Sequence, residues 1–193
     1  MNLYKRTLSY VRFSFILCMI WGTLTGCSTT PPQNSHQACD IIKEKKHWKK
    51  PLRKAQKNWN TPPEIVLSFM FHESGFRAQA RPKRKKLLGV IPWLRPSNAY
   101  GYAQATKETW QTYEASRWRF LARRDNFADS TDFIGWYNSI STKKYSIPPT
   151  DSYRLYLVYH EGHYGYGKGS YQKKQWLLNT ARAVQNKANL YQK

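Results

Sequence analysis

Acidic side chains are scarce in this chain: 11 Asp and Glu stand against 32 Lys and Arg in 193 residues, a formal net charge of +21. That deficit points to an anionic polymer or an anionic lipid surface as partner. The cations are spread along the chain rather than gathered into one recognition helix, which weighs against nucleic acid. Cysteine is scarcer still, at three residues, Cys18, Cys27 and Cys39. Two of them fall in or beside the amino-terminal segment read below, so a disulfide framework and a cysteine-built metal site are both excluded. Strand-like alternation is nearly missing and no internal repeat is visible, so the fold class is mainly α, a single domain with a small loop or hairpin region.

Long apolar runs are also missing, except at the start. Lys5, Arg6 and Arg12 precede an apolar stretch from Phe13 to Trp21 that ends at Leu24-Thr25-Gly26-Cys27. The stretch is too short for a permanent membrane span and has the layout of a secretory signal, residues 1–26. Leu-Thr-Gly-Cys resembles a bacterial lipobox, which implies lipidation of Cys27, a membrane contact through that anchor and a periplasmic location. Ser28 after Cys27 implies the outer membrane. Removing residues 1–26 takes away three cations and no acid, leaving +18. Residues 27–58 are Lys-rich and poor in apolar side chains, and read as a tether in which Cys39 is a passive thiol. The folded domain is then expected over residues 59–193.

Within it, Ile65 to Phe76 is apolar almost all round, and Glu73 falls in helical register with Val66 and Met70. A helix without a polar face is normally buried. A carboxyl group at its end is therefore desolvated, keeps its proton towards neutral pH and can act as a general acid. Thr61-Pro62-Pro63-Glu64 reads as a capping box that launches this helix, and Gly75 can end it. Further helices are expected from Thr106 through Trp118, after Asp129-Ser130-Thr131-Asp132, and after Asp151. Leu177, Ala181, Val184, Ala188 and Tyr191 form one apolar stripe of a last helix.

Three segments, Glu73-Ser74, then Ala99-Tyr100-Gly101-Tyr102-Ala103-Gln104, then Tyr159-His160-Glu161, stand in the order of the motifs of the lytic transglycosylase (SLT) domain of the goose-type lysozyme superfamily, which this stretch, roughly Trp59 to Tyr166, resembles. The resemblance implies a lysozyme-like domain acting on peptidoglycan glycan strands. It implies Glu73 as catalytic acid and base, with Ser74, Gly101, Gln104 and Tyr159 at the family's motif positions. Tyr102-Ala103 replace the usual Leu-Met, and His160-Glu161 stand where Asn and a small residue are usual. The implied reaction cleaves the bond between N-acetylmuramic acid and N-acetylglucosamine with a 1,6-anhydromuramic product. It needs neither cofactor nor metal, and a monomer suffices. A lysozyme-type hydrolase and a non-catalytic peptidoglycan-binding lipoprotein remain open beside it.

Aromatic side chains beside the motifs, Tyr100, Tyr102 and Tyr164, are candidates for stacking on sugar faces. Asp125, Asp129 and Glu161 are the candidates for a second catalytic carboxylate. His160 and His163 lack the four-residue spacing of a zinc helix, and Gly162 should break the helix between them. Arg81 to Lys86 followed by Leu87 to Pro96 reads as a basic loop or short hairpin with an apolar tip, suited to a membrane or to anionic peptidoglycan.

Overall fold

The computed structural model describes residues 29–84, 86–87, 91–92 and 95–193. The signal segment, Cys27 with its lipobox, and Trp93 and Leu94 of the basic loop lie outside them. Among the described residues there are seven α-helices: α1 (Ala38–Glu44), α2 (Lys49–Trp59), α3 (Pro63–Ser74), α4 (Lys107–Arg117), α5 (Phe127–Tyr145), α6 (Ser152–Gly167) and α7 (Gln175–Gln192). A 3-10 turn at Lys46–Trp48 joins α1 to α2, and Lys86–Leu87 pairs antiparallel with Ile91–Pro92 as a two-stranded hairpin, β1 and β2.

Helix α3 is the buried helix that its sequence predicts, with Ile65 through Met70 all inaccessible. Helices α5 and α7 pack against it, α2 packs on α5, and α6 on α7. Gly75 ends α3 in the left-handed conformation, φ 58°. The stripe Leu177, Ala181, Val184, Ala188 and Tyr191 is buried on α7, as expected. Asp151 caps α6 by accepting from the Arg154 amide.

Four expectations need correction. The start of α3 is no capping box: Pro62 is the N-cap, with ψ 143°, and Pro63 is the first helical residue. A residue before proline is pushed out of the helical region, so Pro62 takes the cap position and moves Thr61 one place too far out. Helix α5 begins earlier than Asp129, at Phe127, because the Asn126 side chain accepts from the Asp129 amide. Asp129 and Asp132 instead hold Arg119 at 2.5 and 2.9 Å, and Asp132 also accepts from Trp59 Nε1 and the Tyr113 hydroxyl. Trp118 is not in α4 but is its left-handed C-cap.

The fourth correction concerns the tether at residues 27–58. Its described part is folded: Ile41, Trp48, Leu52 and Ala55 are core residues, and Trp48 stacks on Phe127 with ring centroids 3.8 Å apart. Those four side chains recur at seven, four and three residues, an amphipathic pattern. The lysines between them lower the average apolar content without removing the stripe.

Candidate active-site groove

Glu73 sits in the last turn of α3 and lines an open groove of about 500 Å³. The loop before α4 contributes Gln104 and Thr106, α4 contributes Thr109, α5 contributes Phe133 and Tyr137, and α6 contributes Tyr159 to Gly162. A second cavity of about 540 Å³ shares Thr109, Tyr137, Glu161 and Gly162 with the first and runs on to Trp136, Ile140 and Tyr164. The four shared residues make the two cavities one continuous, aromatic-lined groove.

Desolvation pushes the Glu73 carboxyl up to about 7, and a hydrogen bond from the Tyr156 hydroxyl pulls part of the way back. No cation is among the causes of its shift, so the proton is held by dryness. Tyr156 is itself raised, by burial and by the neighbouring Glu73 charge. Tyr156 is absent from the sequence expectations, although it stands three residues before Tyr159 on one helix face, where a pair of side chains meets a common neighbour. Phe133 and Tyr137, four apart on α5, are lining residues of the same kind.

Glu161 lines the same groove with the opposite electrostatics. Its side chain is only 4 % exposed, and Lys174 Nζ lies 2.8 Å from both carboxylate oxygens. Burial alone would raise it, but hydrogen bonds from Lys174, Ser170 and His160 outweigh that and bring it down to about 2. His160 Nδ1 donates to Glu161 at 3.1 Å, and its ring meets Trp176 edge-on. Between His160 and His163 the helix breaks at Gly162, φ 70° and ψ 161°, as expected of a residue free of Cβ sterics. Among the described residues no group of three or more His, Cys, Asp or Glu side chains is placed to hold a metal.

The 101–104 loop is a frame. Gly101 has φ 83°, and a Cβ there would fall 1.9 Å from the Arg124 carbonyl oxygen, so only glycine fits. The Gln104 amide donates to the carbonyls of Ala80 and Gly101, both at 2.9 Å, which uses its two protons and leaves the amide oxygen as an acceptor at the groove wall. The Tyr159 hydroxyl donates to the Ala103 carbonyl at 2.6 Å, tying α6 to this loop.

Three residues named from the sequence do not reach the groove. Ser74 is buried and its hydroxyl donates to the Met70 carbonyl. Tyr102 is core, edge-on to Trp48 and Phe127. Tyr100 lies under the guanidinium groups of Arg81 and Arg124, 4.4 and 5.3 Å from its ring centre. Residues 101–104 form a tight turn closed by the bridge between Tyr100 and Ala105, with Gly101 and Gln104 both at positive φ, so neither helical nor strand periodicity tells which of its side chains face the groove. Asp125 pairs with Arg123 and Asp129 with Arg119, so neither offers a second free carboxylate to the groove.

A family model described as the transglycosylase SLT domain matches residues 15–193, a longer stretch than Trp59 to Tyr166. Neither the curated proteins nor the solved structures contain a match. The helical architecture and this match agree on one lysozyme-like domain.

Proposed function

Because the chain belongs to the transglycosylase SLT family, and this family cleaves glycosidic bonds of peptidoglycan, we propose that it is a lytic transglycosylase with Glu73 as its acid and base. The observation that carries the reading is the contrast within the groove: one carboxyl group protonated to about 7 without a cation, the other held as an ion pair with Lys174. Protonated Glu73 donates to the glycosidic oxygen between N-acetylmuramic acid and N-acetylglucosamine, and the bond from muramyl C1 to that oxygen breaks. The Glu73 carboxylate then takes the proton of the muramyl C6 hydroxyl, whose oxygen bonds to C1 and closes the 1,6-anhydro ring. Glu73 ends protonated, no water is consumed, and one carboxyl group serves both steps. A hydrolase working through a second carboxylate would need Glu161 free, and its engagement by Lys174 supports the single-carboxylate route.

Gln104, through its amide oxygen, and the aromatic channel from Tyr137 to Tyr164 orient the strand. Cys27 carries the lipid anchor, and the domain works in the periplasm at the outer membrane. Two measurements test these readings. Digestion of purified sacculi is expected to release fragments with anhydromuramic ends; reducing ends would reassign the enzyme to the hydrolases, and binding without release would remove catalysis. Cys27→Ala is expected to abolish labelling by radioactive palmitate, and persistent label would dismiss the anchor.

A further inference from the structure

Away from the groove, the structure leaves large apolar side chains in water. Trp118, Phe120 and Leu121 are 83, 62 and 94 % exposed, and they follow α4 as a tip in which Trp118 and Phe120 meet edge-on. Exposed aromatic and leucine side chains grouped on one turn are uncommon in a soluble monomer and mark a surface of interaction. The tip is rigidly mounted. Arg117 lies 4.7 Å over the Trp59 ring at the end of α2, and Arg119 is held by Asp129 and Asp132.

Helix α2 therefore ends at the tip, and α2 is strongly cationic. Lys49, Lys50, Arg53, Lys54 and Lys57 are all exposed, and the helix contains no acid. At its other end Lys49 joins Lys43 and Lys46 around a second apolar patch formed by Ala38, Cys39 and Ile42 of α1. A cationic helix thus runs between two apolar points. We propose that α2, with the Trp118-Phe120-Leu121 tip and the α1 patch, is a docking surface for an anionic phospholipid bilayer, the cations meeting headgroup phosphates and the apolar points entering the interface. Peptidoglycan carboxylates match the charge and a sugar face could stack on Trp118, but a hydrated glycan offers no apolar layer for Leu121 to enter.

The start of the described chain is fastened beside α1. Thr30 lies 3.4 Å from Lys45 Nζ, the Gln33 amide donates to Glu44, and the Ser35 carbonyl accepts from Tyr191. The fold thus holds its chain from Thr30 onward, and under the Cys27 attachment proposed above only about 10 Å of extended backbone separates the lipid from it. This surface is separate from the groove, so its failure leaves the Glu73 reading standing.

The test places a nitroxide label at position 121 of the full chain, using Leu121→Cys with Cys18, Cys27 and Cys39 changed to Ser so that nothing is acylated, and circular dichroism confirms the fold. With phosphatidylglycerol-containing vesicles the label is expected to become more accessible to oxygen and less to a water-soluble nickel chelate, and with pure phosphatidylcholine to stay as in buffer. Adding Lys54→Glu and Lys57→Glu should weaken the anionic-vesicle response at least about tenfold. A label that remains as water-accessible with anionic vesicles as without them overturns the proposal. So does a label immobilised without lipid, by sacculi or by other copies of the chain.

Discussion

Glu73 and Glu161 line one groove and share one side-chain chemistry, yet one is pushed up to about 7 and the other down to about 2. At the end of α3 desolvation is offset only by the hydrogen bond from the Tyr156 hydroxyl, so ionisation is resisted. Just before the Gly162 break in α6, the lysine at the N-cap of α7, a serine hydroxyl and a histidine converge on the carboxylate, so ionisation is enforced. Burial by itself raises both groups, and what separates them is whether a cation shares the site. The comparison supports the proton-transfer role proposed for Glu73 and gives Glu161 a tying role, joining α6 to the α7 entrance.

The hardest blow to that contrast would come from Glu73→Gln. Its turnover on sacculi is expected to fall at least about a hundredfold with the fold intact by circular dichroism; near-normal release of fragments would remove Glu73 from the chemistry. The same variant has a stability signature. A carboxyl group raised in the folded state binds its proton more tightly there than in the unfolded chain, so the parent should lose stability relative to Glu73→Gln as pH rises from about 4.5 to about 7. Urea midpoints of the two proteins across that range measure it.

Glu161→Gln should cost about 1–3 kcal/mol at neutral pH, because Lys174 loses its charged partner. Here the pH dependence has the opposite sign: the stabilisation is present above about 4.5 and is lost as pH falls towards about 2. Its rate profile should keep the alkaline limb of the parent, since Glu73 owes its shift to desolvation. A limb that moves down in Glu161→Gln would join the two carboxylates into one titrating unit.

The smallest effect is expected of Tyr156→Phe. The hydroxyl favours the Glu73 carboxylate, so its removal should move the alkaline limb of kcat/KM upward by less than about one pH unit, with little loss of rate below it. A downward move would reverse the role given to Tyr156.

Glu73 could be found in the sequence because α3 is apolar on every face, so no choice of orientation had to be made. The stripe on α7 was equally legible, one side chain per turn. Glu161 was less so, because its partner Lys174 stands thirteen residues on, across a helix break and a turn. Tyr102 sits in a tight turn with two residues at positive φ, where no periodicity tells groove from core. The segment from Ala38 to Asn58 escapes a reading by composition for a different reason: the average hides a pattern, and Trp48 finds its stacking partner, Phe127, far along the chain. Local chemistry and periodicity were readable; pairings made only by the fold were not.

The dry helix that protonates Glu73 has a consequence before folding is complete. Ile65-Val66-Leu67-Ser68-Phe69-Met70-Phe71 has no charge, no proline and several β-prone side chains, the composition of a segment that stacks into cross-β assemblies when exposed. In the folded protein α5 and α7 cover it; in the unfolded chain, where Glu73 is no longer desolvated, Glu64 and Glu73 stand as gatekeepers at its flanks. The chain therefore carries its aggregation hazard in the same seven residues that build its acid, and loosening of α3 would convert the enzyme into a precipitate before it merely slowed it.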